Sequence, residues 1–384
     1  MNIGIDIRSL LEKERSGVGE YTFELLNAIF DIDRENQYYL FYNSWKKVGN
    51  NFLAEWRNFS NVHFCGFNWP NKLLNFCFKF LGWPKIDKLL VKKSKLGDKL
   101  DLFFIPNLNF ISLSDNVKKV ITVHDLSFEI FPRFFSWKRR LWHWFVNPKK
   151  LISGAEKIIA VSENTKRDLV DLYKVTAEKV DVIYSGVTSR ENILDVDTVK
   201  QKYNLPENFI LFLGTLEPRK NVEGLIRSFE LLKINQKSEV KNLKLLIVGS
   251  RGWLYKKIMA RAVRSSERGD IQFVNYINSE EKSAFYKLAK IFVYPSFYEG
   301  FGFPPLEAAA AGTPVIISTN SSFPEVMGGA ALMVDPNNPA EIAKIMEQCL
   351  SDENLRATLI EKGREKVEKF NWEGCARQVL TALE

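Results

Sequence analysis

Short runs of β-branched and aromatic residues alternate with amphipathic stretches along this chain, and the alternation occurs twice. That pattern specifies parallel sheets with helices on their faces, because neighbouring parallel strands need a crossover long enough to hold a helix. The first series places strands at 2–8, 38–42, 62–67, 101–106, 119–124, 157–161 and 179–184. The second places them at 209–214, 244–249, 271–275, 291–295, 314–318 and 331–334. From Ser185 to Pro206 apolar periodicity lapses and polar and charged residues collect, as expected of a linker. The sequence therefore predicts an α/β protein of two doubly wound, Rossmann-like units divided near Thr188. Its last residues predict a terminal helix anchored by Trp372.

A chain of 384 residues is long enough for two such units, and 46% apolar with 26% charged residues is a globular composition, not a disordered one. The opening MNIGIDIRSL runs straight into a strand pattern without the features of a secretory leader. No window nears the roughly 18 apolar residues of a bilayer span. Cys65, Cys77, Cys349 and Cys375 show no metal-site or disulfide spacing. A cytoplasmic protein is the expectation. The net charge of +8 is concentrated in the first half. Lys72 to Lys99 holds eight Lys against two Asp, and Phe131 to Lys150 holds six basic residues and no acid. Both stretches are rich in aromatics, including Trp83, Trp137, Trp142 and Trp144. That mixture predicts peripheral contact with an anionic membrane, set against the plainer reading of a solvated basic face over core aromatics. Nucleic acid is not an expected partner, because no recognition module accompanies the charge.

Open parallel sheets bind ligands at the carboxyl ends of their strands, so the residues just after each strand carry the functional expectations. The segment YPSFYEGFGFPPLEAAAAGTPVI follows a strand and opens a helix. Gly300 and Gly302 allow a ligand close to the backbone, Pro304 and Pro305 suit a first helical turn, and a helix start offers N–H groups to phosphate. Glu299 and Glu307 would bracket a diphosphate, one holding hydroxyls of a sugar and the other those of a ribose. In LFLGTLEPRKN, Arg219 and Lys220 stand beyond the strand that ends at Gly214, where paired cations would neutralise a departing diphosphate. Gly17 and Gly19, in RSGVG, lie between the first strand and the next helix. His124 ends a strand and precedes Asp125. Lesser candidates are Ser162 and Glu163, Ser250 and Arg251, and Tyr276. Two D-x-D strings, at Asp31 and Asp33 and at Asp195 and Asp197, lie away from strand ends, and no metal is expected at either.

The E-x7-E string, its Ala-rich helix and the following GTPVI strand resemble the retaining glycosyltransferases of family GT4, over nearly the whole chain. The resemblance implies a GT-B fold, in which two Rossmann-like domains face an interdomain cleft. Residues 1–188 would bind acceptor, residues 189–366 the nucleotide sugar, and the helix in 367–384 would cross back to the first domain. It implies contact of Glu299 and of the amides of Gly300, Phe301, Gly302 and Phe303 with the sugar and diphosphate, and of Glu307 with the ribose. Leu306, Gly214, Thr215, Ser250, Arg251 and Tyr276 complete the donor side, Gly17 and Gly19 lie beside its phosphates, and His124 approaches the sugar. The family's commonest pattern has Arg directly after the strand-end glycine; here Thr215 stands there. SGVGEYTFELL, HDLSFEIFP and GTLEPRKN together are similar to bacterial mannosyltransferases of surface-polysaccharide assembly. The implied donor is GDP-mannose, ahead of UDP-glucose, UDP-galactose and UDP-N-acetylglucosamine, with no cofactor. The acceptor would be a glycan or lipid-linked glycan, reached at the inner face of the cytoplasmic membrane. A sugar-nucleotide 2-epimerase, a sugar phosphorylase and a non-catalytic sugar-nucleotide binder are the alternatives.

Overall fold

The computed structural model describes residues 1–12, 16–45, 48–49, 52–94, 99–188, 195–234 and 241–384. Arg15 of the RSGVG string, residues 95–98 of the first basic stretch and residues 189–194 of the linker lie outside that description. Among the described residues thirteen strands form two all-parallel sheets, and each of the thirteen predicted windows contains one of them or overlaps it.

The first sheet is built from β1 (Asn2–Asp6), β2 (Gln37–Asn43), β3 (Val62–Phe67), β4 (Leu102–Ile105), β5 (Lys118–Val123), β6 (Lys157–Ala160) and β7 (Val180–Val182), in the order β3-β2-β1-β4-β5-β6-β7. The second contains β8 (Phe209–Leu213), β9 (Lys244–Val248), β10 (Ile271–Val274), β11 (Ile291–Tyr294), β12 (Val315–Ser318) and β13 (Leu332–Val334), ordered β10-β9-β8-β11-β12-β13. Central strands such as β4 (LFFI), β8 (FILFL) and β11 (IFVY) are buried along their whole length, as sheets covered on both faces require. In each sheet the strand order reverses direction beside the first strand of its series, between β1 and β4 and between β8 and β11. Those switch points leave a crevice at the carboxyl ends where the crossovers part.

The chain divides into two compact units, one of Met1–Leu126, Trp137–Gly186 and Trp372–Glu384, the other of Ser127–Ser136 and Val187–Asn371. Residues 127–136, which the sequence assigns to the first domain, thus lie with the second. Phe134 stacks on Phe297 and Phe135 on Trp253, at 5.3 Å between ring centroids in both pairs, and Trp253 Nε1–H donates to the Phe134 carbonyl at 2.5 Å. In the first unit, helix Gly17–Ile32 buries Tyr21, Leu25, Leu26, Ile29 and Phe30 along one face, and the terminal helix Trp372–Leu383 packs against it. Helix Glu353–Val367 and the residues up to Asn371 belong to the second unit.

Three local expectations are revised. Gly17 and Gly19 lie in the first turn of helix Gly17–Ile32, with Ser16 as its cap, and not in a loop ahead of it. The linker contains helix Val196–Tyr203, capped by the Asp195 side chain, which accepts from Thr198 N. Asp31 is inside a helix, and Asp33 fastens the turn into β2 by accepting from Glu35 N, Asn36 N, Asn36 Nδ2 and Tyr38 Oη. Both D-x-D strings are therefore helix ends. The four cysteines are free thiols, and no helix among the described residues is long and apolar enough to cross a membrane.

Candidate functional site

The second unit's switch point gathers most of the predicted residues. The loop leaving β8 runs through Gly214, Thr215 and Glu217 to Arg219 and Lys220, and the loop leaving β11 runs through Ser296 to Glu299. The two loops are bound along their backbones, since Phe297 N donates to Arg219 O at 2.8 Å and Arg219 Nη1 donates to Tyr298 O at 2.8 Å. Four charged side chains meet where they join. Lys220 Nζ donates to Glu299 Oε1 at 2.6 Å and Arg219 Nη1 to Glu299 Oε2 at 3.1 Å. Arg219 Nε donates to Glu217 Oε1 at 3.0 Å. Ser296 Oγ adds a hydrogen bond of 2.6 Å to Glu299.

Glu299 is 6% exposed and Lys220 8%, so neither charge is sustained by bulk water. Burial alone would raise the Glu299 pKa, but Arg219 and Lys220 beside it outweigh that cost and hold the carboxyl below its ordinary value. Lys220 is also held below its ordinary value, first by burial and then by Arg219, against the pull of Glu299. The quartet of Glu217, Arg219, Lys220 and Glu299 is balanced two against two. Arg219 is largely spent within it, whereas the Lys220 ammonium makes one hydrogen bond among the described residues and has three protons to give.

The turn after Glu299 is shaped by Ser322. Its Oγ stands 3.0 Å from the Glu299 carbonyl and 2.9 Å from that of Phe301, and its single proton is shared between them. Both carbonyls are thereby turned toward the interior. The N–H groups of Gly300 and Gly302 meet no acceptor among the described residues. Gly302 has φ +102°, and a Cβ there would lie 2.9 Å from Phe323 Cε1. Helix Phe303–Ala310 begins at once, with two prolines in its first turn. Glu307 stands within it as part of a separate cluster, accepting from Lys282 Nζ at 3.0 Å and from the buried Tyr286 hydroxyl at 2.8 Å.

The loops after β8 and β9 also touch. A Cβ on Gly249 would fall 2.0 Å from Gly214 O, so only glycine permits that backbone approach. It brings Leu216 N to Ser250 O at 2.9 Å, leaving Thr215 and Arg251 exposed beside each other's loops and Tyr276 half-buried after β10. Gly17, Gly19 and His124 belong to the first unit. His124 Nε2–H donates to Pro106 O at 2.9 Å, which leaves Nδ1 as the unprotonated nitrogen, and its ring meets Tyr21 edge-on at 4.7 Å. Burial pushes its pKa down, partly offset by the Pro106 carbonyl and by Asp125. Ser162 caps helix Glu163–Tyr173 through Thr165 N and is structural. Sequence reading missed Glu217, Ser296, Ser322, Lys282 and Tyr286. Glu217 and Ser296 lie inside the quoted strings, while the other three come from elements that nothing local marks.

Residues 15–191 match the family described as Glycosyltransferase Family 4, and residues 195–366 the family described as Glycosyl transferases group 1. O-antigen chain mannosyltransferase B of Escherichia coli is 32% identical over 269 residues, which cover 69% of this chain and 70% of that protein. The serotype-specific mannosyltransferase WbdA of Escherichia coli is 29% identical over 279 residues, 70% of this chain but 34% of that longer protein. Sucrose-phosphate synthase from Thermosynechococcus elongatus superposes with a TM-score of 0.73 at 20% identity, over 99% of this chain and 98% of that one. The fold is GT-B, and the protein is a hexosyltransferase. It belongs to glycosyltransferase family 4.

Proposed function

We propose that this enzyme transfers mannose from GDP-mannose to a hydroxyl of a glycan carried on a lipid, with retention of the anomeric configuration. The mannosyltransferases similar to it support the sugar, one of them named for the O-antigen chain. The observation that carries the donor assignment is the quartet at the β8–β11 switch point, next to a turn whose Gly300 and Gly302 amides meet no acceptor among the described residues. Residues 189–366 hold the donor in this reading, and residues 1–188 with the terminal helix hold the acceptor.

Glu299 accepts from hydroxyls of the transferred sugar and Glu307 from those of the ribose. The amides of Gly300, Phe301, Gly302 and Phe303 face sugar and diphosphate, with Leu306 lining the same turn. Gly214, Thr215, Ser250, Arg251 and Tyr276 border the rest of the nucleotide, Gly17 and Gly19 approach its phosphates, and His124 positions the sugar and acceptor. Lys220 is the phosphate contact because its ammonium retains protons to donate; Arg219 fixes Glu299 and the two loops in place. In the transfer, the bond between the anomeric carbon and the β-phosphate oxygen breaks. The acceptor oxygen bonds to that carbon on the same face, and its proton passes to the leaving diphosphate. The cations take the charge that a metal would otherwise balance, so turnover is expected to survive chelation by EDTA. The acceptor's lipid places the enzyme at the inner face of the cytoplasmic membrane.

A panel of nucleotide sugars tests the reading, because a ligand that binds only the folded state stabilises it, by about 2.7 kcal/mol at a hundredfold excess over Kd. GDP-mannose is expected to raise Tm more than UDP-glucose, UDP-galactose or UDP-N-acetylglucosamine, and to label a glycolipid product. Lys220→Ala is expected to reduce turnover by about 10²–10³-fold, the range for loss of one preorganised charge donor. No stabilisation by any donor, or near-normal turnover in that variant while it remains folded, would reject the assignment.

A further inference from the structure

The helix Trp137–Val146, WKRRLWHWFV, is apolar on one side and has no fully buried residue, its His143 imidazole being half-buried on the inner side. Trp137 is 69% exposed and Trp144 68%, with Leu141 and Trp142 also open to solvent. Beside it, the turns of Asn71–Phe76 and Cys77–Leu81 expose Leu73, Phe76, Phe80 and Leu81. The two segments are one surface: Phe80 meets Phe145 at 6.1 Å between ring centroids, and Lys79 Nζ lies 5.7 Å from the Trp144 ring. All of it belongs to the first unit.

We propose that this plate inserts into the boundary between headgroups and acyl chains of an anionic phospholipid leaflet. Mere electrostatic contact would need only the basic charge of the first half, whereas Trp137, Trp144, Phe76 and Phe80 each leave more than half of their surface in solvent. Their chemistry selects the occupant. Tryptophan rings favour the depth at which an apolar face meets a polar one, and lysine and arginine beside them reach the lipid phosphates. Lys138, Arg139, Arg140, Lys149 and Lys150 are exposed around the rings, and residues 131–150 contain no acid to repel the leaflet. Asp87, in helix Ile86–Ser94, is buried, its carboxylate accepting from Ser114 N at 2.9 Å. A protein partner would accept the tryptophans and arginines but meet the lysines poorly, since interface cores are depleted of lysine and Lys138, Lys149 and Lys150 stand exposed among the rings. The inference deepens the proposed function by supplying the leaflet from which a lipid-linked acceptor would be taken, and it rests on that reading for its purpose alone.

Full-length protein is mixed with phosphatidylcholine vesicles, plain or holding about 30 mol% phosphatidylglycerol, at low salt and at about 0.5 M salt, where surface attraction is screened within a few Å. Insertion predicts binding to the anionic vesicles, a residual fraction bound at high salt, and quenching of tryptophan emission by lipids brominated on their acyl chains. The W137S/L141S/W144S variant is expected to lose at least tenfold in partitioning while keeping its circular dichroism and its donor-induced rise in Tm. F76S/F80S, on the other segment, is expected to show a smaller loss of the same kind. Binding that vanishes at high salt without bromolipid quenching would overturn insertion, as would no vesicle binding at all. A native dimer that the triple variant converts to monomer, with no lipid binding, would assign the plate to a second copy of the chain. Failure of the donor reading would appear instead as an unchanged Tm with every nucleotide sugar, whatever the vesicles show.

Discussion

Burial is the first cause that holds each of the three histidines, His63, His124 and His143, below the ordinary imidazole pKa, and His143 falls to about 4. The unfolded chain binds these protons near pH 6.5 while the folded chain declines them. Stability is therefore fully present above that value and is lost as pH falls toward 4. For His143 the linkage at pH 5 is at most about 2 kcal/mol, which corresponds to several degrees in Tm. Glu299, whose pKa is lowered, contributes stability that is lost only as pH falls past the ordinary carboxylate value, so a scan from pH 7 to 5 does not reach it. Thermal melts from pH 7 to 5 are expected to show a falling Tm, and His143→Gln should flatten the curve; equal slopes in both proteins would remove His143 as the source. The charged quartet also qualifies the variants above. Removing one member of a buried pair costs about 3–5 kcal/mol, so Lys220→Ala must be assayed below its own lowered Tm. Arg219, Lys220 and Glu299 were legible because strand-end strings carry them. Their mutual pairing was not, since it depends on two loops 79 residues apart meeting at a switch point.

The turn Glu299–Phe303 works as an element because Gly302 sits at φ +102°, with Phe323 packed where a side chain would go. Gly302→Ala is expected to cost about 1–3 kcal/mol in backbone strain and to displace the Gly300 and Gly302 amides together. Donor affinity should then fall more steeply than at an equally destabilised position remote from the turn, such as Leu359→Ala. Calorimetry of GDP-mannose binding to the two variants compares them; matched affinities would mean that the turn does not hold the donor. Elements of this kind differ in how plainly a sequence declares them. The central strands were readable because both faces are buried and their residues are apolar in succession, and the half-buried edge strands β3, β7, β10 and β13 by their place in the alternation. Helix Val196–Tyr203 was not, because it is short and polar, buries Val199 alone, and is otherwise held by Lys202 and Tyr203 on Glu281 and by Tyr203 against Phe285, partners far along the chain. Helix Trp137–Val146 was readable as a basic aromatic stretch, but that it leaves Trp137 and Trp144 in solvent is a fact of tertiary structure alone.

Across the whole molecule the chain passes between the two units four times, after Leu126, Ser136, Gly186 and Asn371. Sequence order suggests two consecutive domains, yet neither unit is a continuous piece of chain. The ten residues 127–136 were misplaced for that reason: their aromatics look like core of the domain they are written in, and find their partners in Trp253 and Phe297. The terminal helix completes the first unit by burying Cys375, Ala376, Val379, Ala382 and Leu383, against helix Gly17–Ile32 among others. With about 1.5–3 kcal/mol for each larger apolar side chain and the newly exposed surface of its partners, removing it should cost on the order of 5 kcal/mol or more. That is comparable with the whole stability of an ordinary domain, roughly 5–15 kcal/mol. A chain ending at Asn371 is therefore expected to lose the first unit's cooperative unfolding. Val187 N donates to Phe370 O at 2.9 Å, so the second unit's own ends stay joined in that truncation. Scanning calorimetry of the shortened protein should show one surviving transition that still moves upward with GDP-mannose, while glycosyl transfer is abolished. A melting profile indistinguishable from that of the full chain would show that the terminal helix is not part of the first unit's core.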